Sequence, residues 1–235
     1  LIRPRAALFL VLVTPIFLLA CSSEPDVATQ DIVANIPWST AGERLEYRLV
    51  DGGGKQLGSG TLTVAQSGTN FELGSHFESE TNNDTAKVIV NAQDLKPISS
   101  SREIITGDDD ELIEVTYTDQ GAVIKQGDKQ TGMSVPEHSY DNDSSLWLWR
   151  TIAFAEDYNS AYITLITNRR SRQTVVLEVT GKESVTVPAG TFEAWRLEIR
   201  TANARQVAWI ADTPRRTLLK YDNDRDVIFE LTSAP

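Results

Sequence analysis

Val185-Thr186-Val187-Pro188-Ala189-Gly190-Thr191-Phe192-Glu193-Ala194-Trp195-Arg196-Leu197-Glu198-Ile199 is the stretch from which the fold can be read. Pro188 fixes φ at a value suited to a turn, and Gly190 can take φ > 0, so Pro-Ala-Gly reverses the chain. Beyond the turn, Trp195, Leu197 and Ile199 fall on one face. A period of two marks a strand with one buried face and one wet face.

The same alternation recurs on both sides of this hairpin. Upstream, Val175, Leu177 and Val179 alternate with Thr174, Glu178 and Thr180; downstream, Val227, Phe229 and Leu231 line the last strand. Nearer the N-terminus, Leu45, Tyr47 and Leu49 alternate with Arg44, Glu46 and Arg48. Gly52-Gly53-Gly54 then makes a turn, and 61–64 runs back. Phe71, Leu73 and Phe77 share one face of the next strand. Ile113, Val115 and Tyr117 line another, which Asp119-Gln120-Gly121 ends. About eleven such runs at roughly 8–15 residue spacing predict a mostly β domain, an antiparallel sheet curled into a barrel or clam, with one short helix.

That helix is predicted over 143–154, with Asp143 or Ser144 accepting a bond from a free backbone N–H at its start. Its apolar residues run nearly all the way round, so it should be buried on several sides, inside the mouth or across the concave face of the sheet. Trp147, Trp149 and Phe154 from this segment, with Trp195 and Trp209 from late strands, are the candidate lining of an apolar ligand pocket. The competing reading is a core cluster where helix meets sheet.

The first 20 residues read as an export signal. Arg3 and Arg5 are the only charges before Glu24, and the apolar run 6–20 is broken only by Thr14 and Pro15. It is short of the ~20 apolar residues that a membrane-spanning helix needs. Leu18-Leu19-Ala20-Cys21 resembles the lipobox of bacterial lipoproteins. The resemblance implies cleavage between Ala20 and Cys21 and a diacylglycerol on the Cys21 sulfur. Ser22 rather than Asp follows the Cys, which by resemblance to enterobacterial sorting implies the periplasmic face of an outer membrane. With a single membrane, the protein would stand on the outer face of the cytoplasmic membrane. Residues 21–37 are then expected to be a lipidated tether, and 38–235 a single β-rich domain.

Composition narrows the function. Cys21 is the only Cys, so an exported domain has no disulfide. The chain carries 22 Lys+Arg against 33 Asp+Glu, a net charge of −11. Such a surface repels nucleic acid and anionic headgroups, so no nucleic-acid partner is expected and attachment must come from the acyl chains.

Few constellations carry chemistry. His76 and His138 are the only His, which leaves no His/Cys metal site. Asp222-Asn223-Asp224-Arg225-Asp226 starts like a calcium loop, but Val227 and Ser233 stand where Gly and Glu are needed. Asp108-Asp109-Asp110-Glu111 reads as a charged turn. Gly54-Lys55 is followed by Gln56, and Leu49 stands where a phosphate loop has its first Gly. No nucleophile elbow accompanies His138. Neither a catalytic residue nor a cofactor is implied. Asn168-Arg169-Arg170-Ser171-Arg172 is a basic run on an acidic chain. It could meet anionic headgroups or an acidic partner, but pairing with neighbouring carboxylates at a hairpin tip is the favoured expectation.

The Val-Pro-Ala-Gly-Thr-Phe-x-Ala hairpin at 187–194 resembles that of a family of exported bacterial domains of unknown function. Gly42-Glu43-Arg44-Leu45-Glu46-Tyr47 looks like the family's first strand, and Asp94-Leu95-Lys96-Pro97-Ile98 like its Leu-x-Pro strand. The predicted helix and the strands from Trp209-Ile210 onward follow in the expected order. The resemblance implies an extracytoplasmic barrel-like or clam-like fold and no activity. That fold is similar to lipoprotein carriers that hold acyl chains in an open half-barrel. The leading expectation is therefore a non-catalytic envelope lipoprotein whose curled sheet binds an apolar or amphiphilic ligand such as a lipid. The alternatives are an assembly lipoprotein that docks an envelope protein, and a hydrolase with an unrecognised site.

Overall fold

The computed structural model describes residues 27–233. The export signal, Ala20 and Cys21 lie outside the described residues. Fifteen strands form one sheet. They are β1 (Glu43–Val50), β2 (Gln56–Ser67), β3 (Asn70–Ser79), β4 (Asn82–Asn91), β5 (Pro97–Thr106), β6 (Asp109–Thr118), β7 (Gly121–Gln126) and β8 (Lys129–Met133), then β9 (Ser139–Asp141), β10 (Asn159–Ile166), β11 (Ser171–Val187), β12 (Gly190–Thr201), β13 (Ala204–Ala211), β14 (Leu218–Asp222) and β15 (Ile228–Leu231). The eleven predicted runs undercount them, because polar strands such as β8 carry no apolar alternation.

The strand order is β8 through β1, then β15 down to β9. Every neighbouring pair is antiparallel except β9 with β10. β8 and β9 are the two edges of the ladder, yet only residues 134–138 separate them in the chain. The sheet must therefore curl until its edges approach. It is a curled, open sheet, not a closed barrel. Side chains hold the seam that the backbone ladder leaves: Tyr117 on β6 donates to Asp141 on β9 at 2.5 Å, and Arg172 on β11 to Ser134 at 2.5 Å. Bulges help the strands bend. One lies in β11, where Gly181 at φ +136° breaks the register with β12.

The predicted faces hold. Leu45, Tyr47 and Leu49 are buried, as are Val175, Leu177 and Val179, and Trp195, Leu197 and Ile199. Val187 pairs with Gly190, so Pro188-Ala189 forms the predicted turn, and Gly190 has φ +136°. The large core fills the concave side, while Ile113, Val115, Ala122 and Ile124 form a small separate cluster on β6 and β7.

Two boundaries differ from expectation. Part of the predicted tether is packed: Ile32 is buried, Gln30 N donates to Ala161 O, and Ala34 N donates to Thr151 O. Ile32 sits in the core with Val33 and Ile36 packed against it, and these few apolar residues among polar ones anchor the segment. The helical segment spans 142–151 rather than 143–154, as a 3-10 turn, the single α-turn α1 (Ser145–Leu148) and a second 3-10 turn. Its cap is Asp141, whose carboxylate accepts from the Asp143 N–H, two positions before the earlier of the two predicted caps. Among the described residues, no helix is long and apolar enough to cross a membrane.

Arg150 locks this segment in place. Its side chain is fully buried and pairs with Glu43 at 2.6 and 3.1 Å. It also donates to the carbonyls of Arg215 and Arg216, and it lies over the Trp38 ring.

Candidate functional site

The helical segment crosses the concave face and roofs a cleft of about 480 Å³. Strand alternation aims one residue in two at this cleft. On β10 these are Tyr162, Thr164 and Ile166; on β11, Val175 beside Tyr162 and Gln173 beside Thr164. Ile199 and Thr201 come from β12, and Tyr221 from β14 is followed by Asn223 and Arg225 in the turn. Along each strand the residues change in the same sense. Tyr162, Val175, Ile199 and Tyr221 are buried; Gln173, Thr201 and Asn223 are half-buried; Arg169, Asn203 and Arg225 are exposed. The cleft thus has an aromatic floor and a polar mouth.

Two buried polar atoms face this cleft without a hydrogen bond inside the chain. They are Nε1 of Trp147 and Oγ1 of Thr164, on residues each 1% exposed. By contrast, Nε1 of Trp149 donates to the Tyr162 hydroxyl at 3.0 Å. Buried polar groups are paired in the great majority of cases, so these two orphans, one on the helical roof and one on β10, single the cleft out as a candidate site.

One wall is a half-buried ionic network. Asp84 on β4 holds Arg102 on β5 bidentately, at 2.9 and 2.6 Å, and the same guanidinium reaches Asp143 at 2.9 Å. Burial pushes the Asp143 carboxyl up to about 7, Asp141 nearby adds to the shift, and Arg102 opposes it. Burial also raises Asp141, against hydrogen bonds from Tyr117, Ser100 and the Asp143 N–H.

The five aromatic residues expected to line one pocket separate into two groups. Trp147 and Trp149 line the cleft. Phe154, Trp195 and Trp209 do not. Phe154 stacks on Trp195 at 5.8 Å, and Trp195 Nε1 donates to Asp212 at 2.9 Å. Trp209 is half-buried and donates to Glu183 on the outer side of the same strands. The pocket is also not simply apolar, since Asn, Gln and Arg ring its mouth. Strand alternation alone could have placed Thr164 and Gln173, but only the sheet order reveals that they face Asp84 and Arg102.

The basic run behaves differently from its favoured expectation. It does sit at the β10–β11 tip, with Arg170 at φ +50°. Yet among the described residues Arg169, Arg170 and Arg172 form no ion pair. Arg170 donates to Gln126 at 3.2 Å and Arg172 to Ser134, while Arg169 lines the cleft mouth.

A second recess of about 650 Å³ lies near β9, between β5, β6 and residues 135–138. His138 Nδ1 stands 3.2 Å from Asp31 there, and the Ser139 hydroxyl is buried without a partner. Among the described residues, no hydrogen bond links His138 to a hydroxyl that could act as nucleophile. No cluster of three His, Cys, Asp or Glu that could hold a metal occurs among the described residues.

A model of one family covers residues 44–227, and its description is "protein of unknown function (DUF3108)". The chain belongs to this family. No curated protein matches. Among solved structures, the DUF3108 chain is similar to a β-barrel-like protein of the DUF1849 domain from Brucella abortus. There the TM-score is 0.53 at 10% identity, covering 86% of this chain and 98% of that one. A candidate lipoprotein from Parabacteroides distasonis matches with TM-score 0.34 at 13% identity, over 87% and 99% of the two chains. A candidate exported protein with a YmcC-like fold from Bacteroides fragilis matches with TM-score 0.27 at 11% identity, over 86% and 97%. The first supports the barrel-like curl of the DUF3108 sheet, and fold alone carries no activity.

Proposed function

We propose that this DUF3108 protein is a non-catalytic envelope lipoprotein, held to a membrane through Cys21, that binds an amphiphilic small molecule in its cleft. The observation that carries the reading is the graded cleft, with aromatic side chains at the floor, amide and guanidinium groups at the mouth, and two buried donors left open between them. Its volume lies within the ~300–1,000 Å³ of small-molecule sites, and the mouth of a curled sheet is a usual place for one. The lipobox resemblance supplies the anchor, and Ser22 after it argues for the periplasmic face of an outer membrane or, with a single membrane, the outer face of the cytoplasmic membrane.

The test is native mass spectrometry of the chain from Ser22 onward, purified without detergent, followed by solvent extraction. A stoichiometric organic ligand, or uptake of one equivalent of an added amphiphile, supports the reading. A clean apo mass with no uptake sinks it. A second reading rests on β8, an edge strand whose unpaired backbone groups could take a strand from an envelope protein. Capture of such a partner, lost on Gly132→Pro, would favour it.

A further inference from the structure

We infer that the ligand is a single-chain anionic amphiphile, with a carboxylate or phosphate headgroup, whose charge sits between Arg169 and Arg225. The inference rests on the binding reading above and adds the headgroup chemistry and the residues that select it.

Three observations converge. Trp147 Nε1 can only donate, and the Thr164 hydroxyl can donate as well as accept. Both are buried, sit on residues that line the cleft and lack a partner among the described residues, so an acceptor oxygen on the ligand is the group that would satisfy either one. That oxygen sits part-way up the wall, because Tyr162 lies on one side of Thr164 along β10 and Asn168 with Arg169 on the other. Apolar ligand surface therefore belongs at Tyr162, Tyr221 and Phe229, below the oxygen.

The charge comes next. Three guanidinium groups line the cleft: Arg102, Arg169 and Arg225. Arg102 is already claimed by Asp84 and Asp143. Arg169 and Arg225 have no carboxylate partner among the described residues. Of the carboxylates near Arg225 in sequence, Asp222 accepts from Asp224 N and Asp224 from Arg205 N. Two uncommitted cations at the mouth of a cleft, on a chain of net charge −11, form a local positive site in a negative field. Planar guanidinium groups suit carboxylate and phosphate oxygens. The volume of about 480 Å³ matches one acyl chain and its headgroup, not the two chains of a diacyl lipid.

The test is isothermal titration of the chain from Ser22 onward with four probes sharing a dodecyl chain, each below its micelle concentration. They are dodecanoate, dodecyl phosphate, dodecyl maltoside and dodecyltrimethylammonium. The expected result is one-site binding of one or both anions, at least tenfold tighter than the neutral and cationic probes. The carboxylate and phosphate arms then separate a free fatty acid from a phosphorylated lipid as the source. Arg169→Glu/Arg225→Glu, on two exposed turns that the core does not need, should weaken the anion at least tenfold and leave the maltoside unchanged. Thr164→Val keeps shape and removes the hydroxyl's hydrogen-bonding capacity, and should cost severalfold. Equal binding of the maltoside, or an anion affinity indifferent to the double charge reversal, overturns the headgroup assignment while the binding reading stands. Binding of none of the four overturns both.

Discussion

Arg150→Met should cost this protein a large part of its stability, and the structure sets the size. The Arg150 side chain is fully buried, and its guanidinium makes four hydrogen bonds, two to Glu43 and one each to the Arg215 and Arg216 carbonyls. Met keeps much of the volume but abandons a carboxylate whose side chain is 10% exposed. Breaking a buried pair from one side typically costs about 3–5 kcal/mol, because the remaining charge is left without compensation. Slight access of water to Glu43 argues for the lower end, about 3 kcal/mol. For a domain of this size that corresponds to a fall in Tm of roughly 6–12 °C. Adding Glu43→Leu removes the stranded charge, and only two carbonyls near the surface then lose their donor. The double variant should therefore recover more than about 1 kcal/mol over the single one. Urea unfolding of wild type, both single variants and the double variant closes the cycle. A loss under about 1 kcal/mol for Arg150→Met, or a double variant no better than the single, would refute the claim that this pair locks the helical segment over the cleft.

Two further outcomes follow from the same geometry. The Asp143 carboxyl is raised to about 7, above its ordinary value, by burial first and by Asp141 second, with Asp84 and Arg102 also facing it. A raised carboxyl contributes stability that is complete below the ordinary carboxylate range and is lost as pH rises through about 7. Asp143→Asn should accordingly gain on wild type between pH 4 and 7 in urea midpoints, whereas a gap moving the other way would show that Arg102 dominates the site. Ile32→Ala should destabilise by about 2–5 kcal/mol, as for a buried core residue; a change within ~0.5 kcal/mol, typical of exposed positions, would return residues 29–36 to the role of a tether.

The sheet was legible in the sequence because its information is local. Period-two runs, the Pro188-Ala189-Gly190 turn and the glycine turn at 52–54 each declare themselves within a few residues. The cleft was only half legible. Trp147 and Trp149 stood out by composition, but Trp195 and Trp209 are adjacent to each other's strands without facing the same space. Trp195 pairs with Ile210 and Arg196 with Trp209, so the two indoles fall on opposite faces of the sheet. That is a matter of register, which no single strand records. Asp84 and Arg102 meet across the paired strands β4 and β5, but Asp143 comes from the far end of the ladder, and its reaching them depends on the curl.

The curl itself explains why the polar residues are where they are. A sheet that closed fully would pair β8 with β9 through the backbone, and its interior could be dry and apolar. This one stays open, so side chains must bridge the seam, and Tyr117, Asp141, Arg102 and Asp143 do so where the edges meet. Such a network is costly to bury unless every member is satisfied, and here the members satisfy one another around a single guanidinium. The helical segment is pinned at both ends, by Asp141 at its start and Arg150 at its finish. It therefore holds Trp147 against the cleft as a fixed wall. Because that wall is rigid, the open Trp147 donor on it, with the Thr164 hydroxyl on β10, supports the proposal of a preformed site over slack in the packing.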